Sequence, residues 1–313
     1  MLSRRLTQAF VHLTILAATL PAACADADGS SRQSVLKEIH ALTASHSYFK
    51  AGALLDKLHQ KVGADDLEVT LAAARLYRDM GLSARAQTEY EHALRINSGC
   101  TEAGVALSEI YMQGLNTRKA LEFARRAYNS NPHATSAQVA LSSALIASGM
   151  FREAEQELAK LLKTSPNDAQ VQYVAYNLAL ERGQLSTAQN HLEGAVRLAP
   201  NRPDWLIDLS ELYKAQGEYS NARRMLEKAL AIDPYSLDAL NKLAIIQEFY
   251  FHDYDQAIEQ YKNILVIDQD SVTALAGLDR CKIKKNDLAG AMRFELSNVI
   301  ANFYGLFGKT KSD

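Results

Sequence analysis

The sequence predicts an all-α fold, an α-solenoid of stacked helix–turn–helix units, and three recurring residue types support this prediction. Prolines that follow apolar helical segments recur every 34 residues, at Pro132, Pro166, Pro200 and Pro234. Alanines recur with the same interval, at Ala86, Ala120, Ala154, Ala188 and Ala222, and after one extra residue at Ala257 and Ala291. Glycines recur in the same phase, at Gly149, Gly183 and Gly217. A fixed period of this length is the signature of a helical repeat array.

Composition is typical of a soluble globular protein and argues against some classes of partner. The 313 residues are 48% hydrophobic and 22% charged, which suits one or two ordinary domains. A net charge of −2 provides no basic field for nucleic acid. The three cysteines, Cys24, Cys100 and Cys281, are too few for a disulfide framework. We expect Cys100 and Cys281 to be small packed residues.

The first 25 residues have the organisation of a secretory signal peptide. Arg4 and Arg5 precede the apolar run AFVHLTILAATL, and small residues follow it in PAACADADGSS. The run is short for a membrane-spanning helix, which needs about 20 residues. A buried first helix is the alternative. We therefore predict a signal peptide over residues 1–25, a linker over 26–32, and an exported protein that is periplasmic or associated with the outer membrane.

Two kinds of processing fit the end of this segment. Ala23 and Ala25 form an Ala-x-Ala exit that would release the chain before Asp26. The stretch LPAAC also resembles a bacterial lipobox, which would leave Cys24 as a lipidated first residue. Pro21 stands where lipoboxes usually carry leucine, so the sequence favours soluble export. Lipid attachment at Cys24 is the alternative, and a lipid there is the only membrane contact that we expect.

Each repeat is predicted to form two amphipathic helices joined by a turn, and residues 203–236 show this clearly. Apolar residues at helical spacing define a stripe on the first helix, at Leu206, Leu209, Leu212 and Tyr213. Gly217 suits the left-handed conformation that ends a helix. A second stripe follows, at Ala222, Met225, Leu226, Ala229 and Leu230. Pro234 ends the second helix, because the residue before a proline is disfavoured in helical conformation.

Stacking of these pairs explains the constant repeat length. One helix pair cannot bury both of its apolar stripes, whereas neighbouring pairs bury them against each other. The recurring alanine marks the closest helix approach, since a larger side chain would force the helices apart. We predict a solenoid over residues 33–305, with about seven repeats and a degenerate C-terminal cap, and a tail over 306–313. The apolar residues of the predicted closing helix are Val299, Ile300, Phe303, Tyr304, Leu306 and Phe307.

The pattern resembles the tetratricopeptide repeat, a 34-residue helix–turn–helix unit. The clearest copy has the family's residue types at Leu209, Ser210, Tyr213, Gly217, Ala222, Ala229 and Pro234. The resemblance is strong over residues 67–271 and weak over 33–66 and 272–305, where terminal repeats are expected to diverge because one side faces water. It implies a right-handed α-solenoid with a non-catalytic role in protein–protein interaction.

The resemblance also implies where a partner binds, since such arrays hold segments of other proteins in the concave groove lined by the first helices. The candidate groove positions are Val105, Glu109, Met112, Val139, Ser143, Ile146, Tyr173, Asn177, Leu180, Ile207 and Glu211, followed by Lys214, Asn241, Ile245 and Glu248. The central apolar members predict a docking strip for an extended peptide or an amphipathic helix. The alternative is that several of them pack against neighbouring helices.

Charges near these positions do not favour the carboxylate clamp that some family members build from Lys and Asn. Asn177 occupies a suitable place, but Tyr173 lies one turn earlier and Asp208 follows in the next repeat. Acidic residues recur near the face instead, at Glu109, Glu181, Asp204, Asp208, Glu211 and Asp238. They indicate either a partner with basic character or an ordinary solvated face.

A second unusual stretch is QEFYFHDYDQA, residues 247–257, which contains the one-residue insertion of the array and is rich in aromatic residues. We predict either an altered helix turn that packs its own aromatic side chains or a lateral contact patch. His252, with Asp253 and Asp255 beside it, is predicted to lie in a turn and not in a metal site.

No pattern typical of an enzyme is found in the sequence. The stretch GLFGKTKS lacks the first glycine of a phosphate-binding loop, with Phe303 in its place. No Ser or Cys has a recognisable activating context, and we predict no catalytic residue, no metal site and no cofactor. The predicted function is a non-catalytic scaffold or adaptor of the cell envelope, and the resemblance includes pilus-assembly and secretion accessory proteins. The alternative is a membrane-anchored structural lipoprotein attached through Cys24.

Overall fold

A computed structural model describes residues 29–63 and 65–286, and these residues form α-helices joined by short turns, with no β-strand among them. The prediction of an all-α helical repeat fold is confirmed. The predicted signal peptide, Cys24, the predicted closing helix and the tail lie outside the described residues.

The chain divides into two compact units, unit 1 over residues 1–132 and unit 2 over residues 133–313. The described helices of unit 1 are α1 (Gly29–Ala44), α2 (Tyr48–Val62), α3 (Leu67–Asp79), α4 (Ser83–Ile96), α5 (Thr101–Gln113) and α6 (Thr117–Ser130). Those of unit 2 are α7 (Thr135–Ala147), α8 (Phe151–Thr164), α9 (Ala169–Glu181), α10 (Leu185–Leu198), α11 (Pro203–Ala215), α12 (Tyr219–Ile232), α13 (Leu237–Ile246), a π-helical turn (Gln247–Phe251), α14 (Tyr254–Ile267) and α15 (272–286). Within each unit, consecutive helices pack in pairs, and the first helix of a pair also packs on the second helix of the preceding pair.

Local sequence determines where the helices begin and end. Asp66 and Asp168 cap α3 and α9, because each carboxylate accepts hydrogen bonds from two backbone N–H groups of the first turn. Pro203 occupies the first turn of α11, where its missing N–H has no partner to lose. Gly183 and Gly217 follow first helices with φ values of 69° and 78°, which glycine adopts without strain. The predicted role of Gly217 is therefore confirmed.

The recurring alanines lie in the core. They are fully buried throughout the described repeats, at Ala86, Ala120, Ala154, Ala188, Ala222 and Ala257. In unit 2, Ala188 and Ala222 share one apolar cluster with Leu206, Leu209 and Leu212 of α11. Small side chains thus occupy the close helix approaches and leucines fill the space between them, as the pattern predicts.

The first described helix covers part of the predicted linker. We expected a linker over residues 26–32, but residues 29–32 are helical in α1. The Arg32 guanidinium pairs with Asp66 at 2.6 Å and with Glu68 at 2.8 Å, so the first turn of α1 is tied to the start of α3. No local pattern indicates this contact, because Arg32 and Asp66 are 34 residues apart.

The inserted residue of the array is accommodated in the π-helical turn. This turn follows α13, and His252 ends it with a left-handed φ of 54°. Because a π turn holds one more residue than an α turn, the side chains after α13 are rotated relative to the other repeats. Phe249 and Tyr250 are exposed, whereas Glu248 is only 2% exposed. The predicted altered helix turn is confirmed, and the prediction that Glu248 lies on the groove face is wrong for the same reason.

Buried Glu248 joins the π-helical turn to α14 and α15. Its carboxylate accepts two hydrogen bonds from Arg280, at 2.8 and 2.9 Å, and one from the Tyr261 hydroxyl at 2.8 Å. Burial raises the pKa of Glu248, but the hydrogen bonds from Arg280 and Tyr261 outweigh it and leave the pKa lowered. Cys281, next in the chain, is a buried free thiol, as expected for a packed residue, and Cys100 is also free.

Candidate partner-binding face

The predicted groove positions lie on the first helices of the pairs, and the two units are described separately. In unit 1, α5 carries Val105 and Met112, which are half-buried, and Glu109, which is exposed. Arg75 of α3 forms a double ion pair with Glu102 at the start of α5. Arg75 and Glu102 therefore neutralise each other's charge.

In unit 2, the predicted groove positions that stay accessible, together with three acidic residues near them, define what we call the unit 2 face on α7, α9, α11 and α13. Its residues are Val139, Ser143, Tyr173, Asn177, Leu180, Glu211, Lys214, Asn241 and Ile245, with Asp204, Asp208 and Asp238. Most of them are half-buried, and Leu180 and Ile245 are each 37% exposed.

The apolar strip on this face is shorter than predicted. Ile146 and Ile207 are each only 8% exposed. The expectation that Ile146 forms part of an exposed apolar strip is therefore wrong, and the groove position Ile207 is also buried. Ile207 belongs to the core cluster of α11, and α7, which carries Ile146, packs directly on α9. The alternative that some groove positions pack against neighbouring helices holds for these two residues.

Aromatic stacking joins α9 to α11 at this face. The ring of Tyr173 stacks on the indole of Trp205, with centroids 4.8 Å apart and planes 14° apart. The Arg202 guanidinium lies 4.6 Å from the centroid of the same indole. Because Trp205 is 1% exposed, the ring of half-buried Tyr173 packs against a side chain of the hydrophobic core.

A hydrogen bond then connects Tyr173 to the next repeat. Its hydroxyl donates to Asp208 at 2.8 Å. Sequence reasoning named both residues, as those that stand in place of a carboxylate clamp, but it did not predict that they are bonded. It missed Trp205 and Arg202 altogether. The signal that could have indicated the stack is the chain's one tryptophan, placed early in a first helix one repeat after Tyr173.

Asp208 differs from the other carboxylates of the unit 2 face because it has no counter-ion. The others pair with basic side chains at 2.5–2.8 Å, namely Asp204 with Arg202, Glu211 with Lys214, and Asp238 with Lys242. Among residues 29–63 and 65–286, no Lys, Arg or His nitrogen lies within 4.0 Å of the Asp208 carboxylate, and its hydrogen-bond donor is Tyr173.

The pKa of Asp208 is raised above that of an ordinary aspartate, chiefly by burial. The hydrogen bond from Tyr173 acts against this, the charges of Asp204 and Asp238 raise the pKa further, and the charge of Lys242, the smallest of these effects, lowers it. Burial and the Asp208 carboxylate also raise the pKa of Tyr173, so its hydroxyl remains a donor. Ionised Asp208 is therefore less stable in the folded chain than an exposed carboxylate.

A second surface lies at the π-helical turn, where Phe249 is 48% and Tyr250 is 42% exposed. Three contacts hold its rings: Tyr219 stacks on Tyr250 with centroids 3.8 Å apart, Arg223 lies 4.4 Å from the centroid of Phe251, and Arg280 lies 5.5 Å from that of Phe249. The lateral contact patch expected at this stretch stays a prediction.

Two features of the described residues bear on other functions. Within them, no group of three or more His, Cys, Asp or Glu side chains is arranged to hold a metal ion. None of the helices in residues 29–63 and 65–286 combines the length and the apolar character needed to cross a bilayer.

The repeats match the sequence models of one family. Models described as tetratricopeptide repeat match residues 68–100, 111–175 and 179–244, which together are more than half of the chain. The chain belongs to the tetratricopeptide repeat family. This family membership confirms the resemblance found in the sequence. Tetratricopeptide repeat arrays are typically non-catalytic scaffolds for protein–protein interaction.

Solved structures share the fold at low identity. One chain of the APC/C hetero-tetramer Cut9–Hcn1 is 15% identical, with a TM-score of 0.62, and the match covers 80% of this chain and 51% of that chain. A tetratricopeptide repeat protein from Parabacteroides merdae is 16% identical, with a TM-score of 0.57, and the match covers 81% and 100%. PilW, described as a widely conserved type IV pilus biogenesis factor, is 17% identical, with a TM-score of 0.54 and coverage of 68% and 98%.

These likenesses concern the fold alone, because every identity is low. The tetratricopeptide repeat chain spans about half the length of the Cut9–Hcn1 chain that it matches, and nearly all of the Parabacteroides merdae protein and of PilW. No curated protein sequence matches the chain.

Proposed function

We propose that this tetratricopeptide repeat protein is an exported scaffold of the cell envelope that holds an extended peptide or an amphipathic helix of a partner protein on the unit 2 face. The observation that carries this proposal is the combination of partly exposed apolar side chains, such as Val139 and Leu180, with the half-buried Asn177 amide. Asn177 makes no hydrogen bond to any described residue, so it is available to a partner backbone. Apolar anchors beside free polar groups suit segment recognition.

The narrower role that we propose is assembly of a pilus or a secretion complex. The fold likeness to PilW, a type IV pilus biogenesis factor, supports this role. The signal-like sequence of residues 1–25 supports export to the compartment in which such assemblies form.

Binding on the unit 2 face can be tested with Leu180→Glu. Peptides selected from a displayed random library against the whole chain are measured by fluorescence anisotropy against wild type and variant. We expect the variant to weaken binding at least about tenfold, because a carboxylate replaces an apolar anchor within the contact area.

The matched control is Leu198→Glu, since Leu198 is a leucine of similar exposure, 41%, on the second helix α10. It is expected to change the dissociation constant by less than about twofold. Equal losses in both variants would indicate a general effect on the fold, and no loss at Leu180 would remove the unit 2 face as the binding site.

The proposed location has a separate test, which also separates soluble export from the lipoprotein alternative. Mass spectrometry of the protein purified from its own cells is expected to show an unmodified first residue at Asp26, as the Ala23–Ala25 exit predicts. A diacylglyceryl group on Cys24 would establish the membrane-anchored alternative instead. A chain that retains Met1 would overturn export.

A further inference from the structure

We propose that the segment bound on the unit 2 face carries a lysine or arginine side chain that pairs with Asp208, next to apolar residues that contact Leu180. This inference rests on the proposed function and names the chemistry of the partner.

Asp208 is the carboxylate of the unit 2 face that a basic side chain of a partner would complement. Every other carboxylate of the unit 2 face already has a basic partner within the chain, whereas Asp208 accepts a single neutral hydrogen bond, from Tyr173. A half-buried carboxylate without a counter-ion is unfavourable, and a partner cation recovers this cost. Among the acidic residues of the unit 2 face, the general expectation of a basic partner thus points to Asp208.

The contacts around Asp208 are already formed within the chain before a partner binds. The Tyr173 hydroxyl fixes the Asp208 carboxylate, and the Tyr173 ring is itself fixed by stacking on Trp205. A pre-organised acceptor loses little conformational freedom on binding. The partly exposed Tyr173 ring also offers a surface for the methylene groups or the cation of a long basic side chain.

The spacing of Leu180 and Asp208 limits the sequence of the partner. Leu180 lies 11 residues after the start of α9 and Asp208 lies 5 residues after the start of α11, so they differ by six positions along equivalent helices. Six positions correspond to about 9 Å along a helix axis. The hydrogen bond from Tyr173 to Asp208 shows that α9 and α11 lie within side-chain reach of each other, at an axis separation of about 10 Å. An extended segment covers the resulting distance of roughly 13 Å in about four residues.

A single available carboxylate suits a side-chain cation better than a metal ion. Divalent cations need several oxygen ligands, and the other carboxylates of the face are occupied by Arg202, Lys214 and Lys242. The arrangement therefore suits one ammonium or guanidinium group.

A double-mutant cycle tests the pairing. Peptides are selected from a displayed random library on the whole wild-type chain, and each is remade with its basic residue replaced by norleucine. Both versions are titrated against wild type, Asp208→Asn and the control Glu155→Gln. Glu155→Gln removes the same charge from the second helix α8, where Glu155 pairs with Arg182 at 2.5 Å.

We expect the norleucine peptides to bind wild type and Glu155→Gln at least about tenfold more weakly than the basic peptides, and Asp208→Asn to bind both versions equally. Selected peptides that lack a basic residue about four positions from an apolar one, or an unchanged ratio in Asp208→Asn, would overturn the pairing. If the selected peptides show no pairing with Asp208 but still lose affinity with Leu180→Glu, the proposed function stands and only the pairing is overturned. Peptides indifferent to Leu180→Glu, or no binders at all, would overturn both.

Discussion

Replacing Trp205 with alanine is expected to lower the free energy of unfolding by about 3–5 kcal/mol, the range for truncating a large buried aromatic side chain. Trp205 is 1% exposed and belongs to the core cluster of α9 to α13. Its loss leaves a cavity and removes the surface on which Tyr173 stacks. Chemical denaturation followed by far-ultraviolet circular dichroism measures the change.

Tyr235→Ala is the matched control, since it truncates an aromatic side chain that is 73% exposed. It is expected to change stability by less than about 0.5 kcal/mol. A Trp205→Ala shift no larger than that of Tyr235→Ala would show that the stack is not part of a packed core. The folded fraction of Trp205→Ala should also bind selected peptides less tightly, because Tyr173 no longer holds Asp208 in place.

Two carboxylates of unit 2 illustrate how structural and functional charges differ. Glu248 is 2% exposed, receives hydrogen bonds from Arg280 and Tyr261, and has a lowered pKa. Its ionised form therefore stabilises the fold above the pKa of an unfolded glutamate, and this contribution is lost as the pH falls. Asp208 has a raised pKa and one donor. An ionised group that its own fold does not neutralise is a better candidate for contact with a partner.

The fold could be predicted from the sequence because the repeat is encoded locally. Helix length, turn and stop depend on residues such as Gly217 and Pro234 within one 34-residue unit. Two features depend instead on distant contacts. The helical conformation of residues 29–32 is tied to Asp66 through Arg32, and the rotation of Glu248 into the core depends on Arg280, 32 residues later.

The candidate site could be predicted only as a set of positions. Periodicity indicates which side chains of a first helix point away from its packing stripe. It does not indicate how much of each side chain is buried by the first helix of the following repeat. Ile146 and Ile207 are buried for this reason, although they occupy the same register as exposed Leu180 and half-buried Tyr173. The bond between Tyr173 and Asp208 likewise depends on the rotamers of two residues 35 positions apart.

The second large expected effect is a loss of stability on replacing Gly277 in α15, where the packing against Tyr261 is close. Gly277 of α15 is buried, and a methyl group added there would lie 2.5 and 2.6 Å from two ring carbons of Tyr261 and closer still to a third. The ring cannot swing aside, because it is 1% exposed and its hydroxyl is bonded to Glu248 at 2.8 Å. Gly277→Ala should therefore destabilise this region by about 2 kcal/mol, a steric cost of about 3 reduced by the roughly 1 kcal/mol of better helix propensity.

Hydrogen exchange locates this effect, since helical repeat arrays lose structure locally. Protection should fall in α14 and α15, while the amides of α9 keep their wild-type rates. The control is Gly52→Ala in α2, where nothing lies within 4 Å of an added methyl group. That substitution should stabilise the protein by about 0.5–1 kcal/mol through helix propensity alone. If both substitutions were stabilising, the Tyr261 ring would have to move away from position 277 despite its hydrogen bond to Glu248, which would contradict the close packing described here.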